Sequence, residues 1–223
     1  MRISSVLQIQ RGITALIGGG GKTTLMYVLA EELAENGSVI ICTSTKIQGT
    51  GGYPLLEQRS EEELRNALMR CRIICTGTPD REGKLSAPGV SFERLGTAAD
   101  YVLVEADGSR GLPLKAHLAH EPVIPRGTDQ TILVIGADCF GRPVGEVCHR
   151  PERFAEISGL AIDMPVTPEA AARSILAEGF GDRIFVNKVE SAEDEVSAGI
   201  LAGLLDRPVI AGSLFFRRYI CLS

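Results

Sequence analysis

Ten consecutive residues, Ala15-Leu16-Ile17-Gly18-Gly19-Gly20-Gly21-Lys22-Thr23-Thr24, combine the groups that phosphate chemistry requires. Glycine adopts positive φ at little steric cost, so a run of glycines can turn successive N–H groups toward one anion. A helix opening at Lys22 adds partial positive charge, Lys22 reaches for the outer phosphates, and Thr23 offers a hydroxyl to Mg²⁺. The strict G-x-x-x-x-G-K-[ST] spacing requires glycine at position 16, where Leu16 stands. Gly18 therefore serves as the first glycine, and the loop is two residues short. The rival dinucleotide fingerprint G-x-G-x-x-G fails, because its third glycine falls on Thr23 or Thr24.

Two further segments carry compatible chemistry. Tyr101-Val102-Leu103-Val104-Glu105-Ala106-Asp107-Gly108 is an apolar run closed by two carboxylates, as in a Walker B segment. Hard oxygen ligands at a strand end suit Mg²⁺, and Glu105 or Asp107 can instead polarise an attacking water. Ile184-Phe185-Val186-Asn187-Lys188-Val189-Glu190 ends in Asn-Lys-x-acid, which is similar to the base-reading motif of GTP-binding proteins. A carboxylate accepts two hydrogen bonds, matching the adjacent N1–H and N2–H of guanine. Glu190 is one methylene longer than the usual Asp, so ATP and GTP both stay open. The same residues also read as a strand running into a solvated turn.

Weaker candidates flank these. Thr43, Ser44, Thr45 and Lys46 follow an apolar run and are placed to meet a γ-phosphate or metal. Arg110 and Lys115 follow the acidic segment, with His120 and Glu121 beyond them. His117-x-x-His120-Glu121, with Cys139, Cys148 and His149, holds possible soft-metal ligands without the spacing of a known zinc site. More simply, His149-Arg150-Pro151-Glu152 opens a helix with Pro151 at its first position.

Short apolar runs must position all of these. Residues 13–17, 39–42, 73–75, 101–104, 132–135, 184–186 and 209–211 are β-branched-rich and do not alternate, as strands buried on both faces do not. Amphipathic stretches separate them: Leu25, Val28, Leu29 and Leu33 share one helical face, and residues 61–72, 168 onward and 192–205 repeat the pattern. Alternation of this kind predicts α/β architecture with a mostly parallel sheet of about seven strands. Ligands of such sheets bind outside the carboxyl ends of the strands. The glycine loop, residues 43–46, 105–108, 136–138 and 187–190 each follow a strand directly, so they should converge on one edge.

Composition narrows the class. The 223 residues carry 23 Lys plus Arg against 28 Asp plus Glu, a net charge of −5. That balance argues against nucleic-acid binding, which needs a phosphate-neutralising basic face. A chain of this length buries a sizeable core without staples, and one domain over 1–223 is expected, with insertions around 47–60 and 76–96. No apolar run approaches the roughly 20 residues of a membrane span. The start lacks a secretory apolar region, and the six cysteines include no C-x-x-C pair, which suits reduced thiols in the cytoplasm.

The set Gly18–Thr24, Thr43-Ser44-Thr45-Lys46-Ile47, Glu105-Ala106-Asp107-Gly108, Pro113-Leu114-Lys115-Ala116, His120-Glu121-Pro122-Val123-Ile124-Pro125 and His149-Arg150-Pro151-Glu152 resembles the YqeC-type selenium cofactor biosynthesis, or selenium-dependent hydroxylase accessory, family. The similarity runs from about residue 13 to 190. It implies a three-layer P-loop NTPase-like fold and a role beside a molybdenum hydroxylase or its cofactor. The family shares the shortened loop. The leading expectation is a Mg²⁺-dependent protein that binds ATP or GTP and hydrolyses it. A small-molecule kinase using Arg110, Lys115 and His120 for its acceptor is a second reading, and a non-catalytic nucleotide-switched scaffold a third.

Overall fold

The computed structural model describes residues 1–57, 60–81 and 83–223, and no side chain at Gln48. Residues 58, 59 and 82, inside the two expected insertions, lie outside the described residues.

In chain order the elements are α1 (Ile3–Val6), β1 (Gly12–Gly18), α2 (Lys22–Leu33), β2 (Val39–Thr43), β3 (Lys46–Gln48), β4 (Leu55–Leu56), α3 (Glu61–Arg70), β5 (Ile73–Thr76), β6 (Thr78–Pro79) and β7 (Lys84–Ser86). They continue with α4 (Phe92–Ala98), β8 (Tyr101–Glu105), β9 (Leu114–Lys115), β10 (Gln130–Gly136), a 3₁₀ turn (Ala137–Cys139), α5 (Val144–Val147), β11 (Cys148–His149) and α6 (Pro151–Ser158). The last are α7 (Pro168–Glu178), β12 (Arg183–Asn187), α8 (Ala192–Leu204), β13 (Val209–Ser213) and β14 (Arg218–Cys221).

Among the described residues the central sheet has nine strands, in the order β14-β13-β12-β10-β1-β8-β2-β5-β4. Every pairing in it is parallel except β13 with β14. The expectation of about seven strands is thus corrected to nine. Both extra strands are edges: β4 is two residues long, and in β14 only Tyr219 is buried, so neither forms a buried apolar run. A strand paired on one side needs no continuous apolar signature.

Successive residues of the inner strands face opposite layers. Leu16 packs with α1 and α2, whereas Ala15 and Ile17 pack with α6, α7 and α8. On that second face, Ile13, Ile40, Val102 and Val104 meet α3 and α4. Helix starts follow local chemistry. Thr167 accepts the Ala170 N–H ahead of Pro168, and Ser191 forms a capping box with Asp194. Around the two expected insertions, β3, β7 and β6 form a separate three-stranded antiparallel sheet.

Candidate functional site

Because β1, β2, β8, β10 and β12 run parallel, their carboxyl ends share one edge. The glycine loop there is short and tightly held. Gly18 N–H donates to Asp107 Oδ2 at 2.9 Å, Gly19 N–H to the Val134 carbonyl at 2.9 Å, and Gly20 N–H to the Leu112 carbonyl at 3.1 Å. Gly20 has φ +69, and a Cβ there would lie 2.2 Å from the Gly136 nitrogen, so no larger residue fits. The first three loop N–H groups are therefore spent on the protein, contrary to the expectation that all aim at one anion. A loop two residues short must pack against β10 and the Leu112–Pro113 backbone. The donors left over belong to the helix start: Gly21, in the left-handed region at φ 108, is the N-cap of α2 and provides no side-chain cap. First-turn N–H groups have no intrahelical partner, so Gly21, Lys22, Thr23 and Thr24 present the anion-binding end.

Two clefts open on this end and meet at Gly21 and Lys188. The first, about 300 Å³, is bounded by Lys22, Thr23, Lys46, Glu105, Arg110 and Lys188 together with the Gly108–Gly111 backbone. In it Thr23 Oγ1 donates to Glu105 Oε2 at 2.6 Å. Glu105 closes β8 between β1 and β2, in register with Leu16 and Thr43. Burial pushes its carboxyl above the ordinary range, while the Lys22 ammonium and the Thr23 hydroxyl pull the other way. Hard oxygens from Thr23 and Glu105 are a donor set suited to Mg²⁺. Thr45 is half-buried beside Thr43, whose hydroxyl donates to the Glu105 carbonyl at 2.7 Å. Lys46 Nζ reaches Asp80 at 3.0 Å, and Lys188 Nζ reaches Asp138 at 2.7 Å.

The second cleft, about 520 Å³, lies between Thr24, Asn187, Glu190, Leu214 and Phe215. Asn187 is 4% exposed and both amide ends are engaged: Nδ2 donates to the Gly20 carbonyl at 2.7 Å, and Oδ1 accepts the Leu214 N–H at 3.1 Å. It ties the loop to the segment after β13. Glu190 is exposed and accepts the Ser213 hydroxyl at 2.8 Å.

The two carboxylates after β8 have different surroundings. Asp107 is 1% exposed and lies among cations, with Lys22 Nζ at 3.1 Å, Lys115 Nζ at 3.4 Å and His117 Nε2 at 2.8 Å. Burial alone would raise its carboxyl, but His117, Lys22, Lys115 and the Gly18 N–H hold it well below the usual range. Lys115 also bonds the Gly108 carbonyl at 2.7 Å and Glu121 at 3.2 Å, and Arg150 reaches Glu121 at 3.3 Å. Against the effect of burial, Arg150 and Lys115 lower Glu121 to about 2. His149 pairs in register with Lys115; burial and the nearby Lys115 and Arg150 charges lower its imidazole. Lys115, Glu121, His149 and Arg150 thus gather behind Asp107 and do not bound the first cleft, while His120 is exposed.

His117 was not among the phosphate-site candidates, yet it bridges Asp107 and Glu178, with Nδ1 2.8 Å from Glu178 Oε2. The available signal was its two-residue spacing from Lys115, which puts both on one side of an extended segment. Among the described residues no group of three or more His, Cys, Asp or Glu is arranged to hold a metal, and Cys139 and Cys148 are buried thiols pushed up by burial. All six cysteines are unpaired, and no helix of the described residues is long and apolar enough to cross a membrane.

The class follows from this geometry: a three-layer α/β protein whose glycine loop opens α2 at the carboxyl edge of a mostly parallel sheet. The YqeC protein family matches residues 14–152, and the chain belongs to that family. YqeC of Escherichia coli (strain K12) is 29% identical over 203 residues, 83% of this chain and 79% of that protein. Among solved structures, the 54 kDa signal recognition particle protein of Aeropyrum pernix K1, in complex with GDP, aligns with 96% of this chain at 15% identity and a TM-score of 0.42. This chain spans 44% of that one.

Proposed function

We propose that the chain is a single Mg²⁺-dependent unit that binds and hydrolyses a nucleoside triphosphate, ATP or GTP. The reading is carried by one observation: the Thr23–Glu105 hydrogen bond stands at the uncapped start of α2, in a cleft bounded by Lys22, Lys46, Arg110 and Lys188. Donor N–H groups and four cations suit a polyphosphate. Thr23 and Glu105 would hold Mg²⁺, which supplies charge neutralisation on the phosphates. The N–H groups of residues 21–24 orient the phosphate chain, and Lys22 stabilises charge on the transferred group. In the second cleft Lys188 and Phe215 flank the base and Glu190 reads its edge.

Family membership supports an accessory role in maturing selenium-dependent molybdenum hydroxylases, with a hydroxylase or its cofactor as partner and the cytoplasm as its place of action. Titration calorimetry with GTP and ATP, each with and without Mg²⁺, tests the reading. Micromolar binding that requires Mg²⁺ is expected. Lys22→Ala is expected to abolish phosphate release while the far-ultraviolet circular dichroism stays unchanged. Wild-type turnover in that variant would refute the assignment, and phosphate appearing on an acceptor instead of in water would identify a kinase.

A further inference from the structure

Lys22 is almost wholly buried, and both of its polar partners are protein groups: the Gly18 carbonyl at 2.5 Å and Asp107 Oδ1 at 3.1 Å. The side chain that should meet the phosphates is tied back onto its own loop. Its anchor, Asp107, faces three cationic groups at once, Lys22, Lys115 and His117. His117 is clamped in turn by Glu178 at the end of α7, which accepts from both Nδ1 at 2.8 Å and the His117 backbone N–H at 2.6 Å. Each ring nitrogen of His117 faces a carboxylate oxygen at 2.8 Å. Burial alone would lower the imidazole, but its hydrogen bonds to Asp107 and Glu178 raise it, the direction that favours a proton on each ring nitrogen.

The surplus of positive charge around Asp107 has a consequence. Removing the sole partner of a buried charge is strongly destabilising, but when Lys22 leaves Oδ1 the carboxylate keeps Lys115 and His117 on Oδ2, and the bared Oδ1 draws Lys22 back once the loop empties. Lys22 is the one partner of the three that belongs to the phosphate loop. We infer that Lys22, Asp107, His117 and Glu178 form a phosphate-operated latch: Lys22 is parked on Asp107 while the loop is empty, and its withdrawal by a bound triphosphate is passed through His117 to the end of α7. This rests on the nucleotide reading above, and His117 acts in it as a positioning residue. The second branch, Lys115–Glu121–Arg150, runs from the same Asp107 to the residue that precedes α6. Loop occupancy thereby reaches two helices on the far side of Asp107, where a partner can sense it.

The test is nuclear magnetic resonance of the histidine rings in the ¹⁵N-labelled full chain, which has 3 histidines. Assignment of His117 uses His117→Gln, and exposed His120 is the internal reference. The probes are the non-hydrolysable β,γ-imido analogues of GTP and ATP with Mg²⁺, their binding measured separately by calorimetry. In the empty protein both His117 nitrogens are expected to carry protons. On saturation the Nε2–H signal should move while His120 stays fixed, and Lys22→Met should shift the empty protein in the same direction. A purely structural His117 would not respond. Binding of an analogue with His117 unmoved would overturn the latch alone. Failure of both analogues to bind would overturn the nucleotide reading and the latch with it.

Discussion

Asn187→Ala separates a side chain that reads a base from one that braces the loop. In the structure its amide satisfies two buried backbone groups, the Gly20 carbonyl at 2.7 Å and the Leu214 N–H at 3.1 Å. Alanine leaves both without a partner. Each stranded buried group costs about 1–3 kcal/mol, so the variant should lose about 2–6 kcal/mol. That is a large part of the roughly 5–15 kcal/mol that holds a domain together. Asn187→Asp should do no better, because it sets a carboxylate oxygen against the Gly20 carbonyl where the amide N–H₂ stood. Urea unfolding followed by circular dichroism measures the loss. The same displacement of Gly20 should weaken GTP and ATP binding by equal factors. A loss below about 0.5 kcal/mol, within the range of an ordinary surface substitution, or a loss of affinity confined to one base, would refute the bracing role.

Two further outcomes follow from the same edge of the sheet. Gly20→Ala combines the left-handed penalty of about 1–2 kcal/mol with overpacking of about 1–3 kcal/mol, since its Cβ would lie 2.2 Å from the Gly136 nitrogen. Gly159→Ala has a similar φ of +74 and open space, so unfolding midpoints should show it losing only about 1 kcal/mol. Glu121 is held at about 2 against an unfolded value of 4.5; its folded value is depressed, so its contribution is present above pH 4.5 and fades as pH falls toward 2. Of up to about 3 kcal/mol, roughly 2 should vanish between pH 6 and pH 3. Glu121→Gln should lack that share of the decline in unfolding titrations at the two pH values.

The layers and the site edge were legible in the sequence for a single reason. A strand paired on both sides and covered on both faces has to be a continuous apolar run, so β1, β2, β5, β8, β10, β12 and β13 each appear within about two residues of where they were expected. Edges relax that demand, which hides β4 and β14. The glycine loop, Thr23 and Glu105 were legible because they act through local backbone and strand-end geometry. Contacts made across the chain left no such trace. Asn187 meets Gly20 across 167 residues, and His117 meets Glu178 across 61. Neither spacing has a period that sequence can display.

Glu105 and Asp107 show most clearly what folding adds. Two residues apart at a strand end, they look interchangeable in sequence. In the structure Glu105 still belongs to β8, where pairing with β1 and β2 delivers its carboxylate to Thr23 at the cleft. Asp107 lies beyond the strand, and its carboxylate accepts the Gly18 N–H under the loop. There it meets cations supplied by the loop and by the β9 segment. Burial raises the first carboxyl, since one hydroxyl and a shared ammonium do not repay its desolvation. Three close cations overcome the same burial at the second and hold it ionised. A carboxylate poorly compensated by the protein is the one with most to gain from a divalent cation. One already paired with lysine and histidine has less to gain from a metal, and it keeps both of those partners on Oδ2 when Lys22 leaves Oδ1.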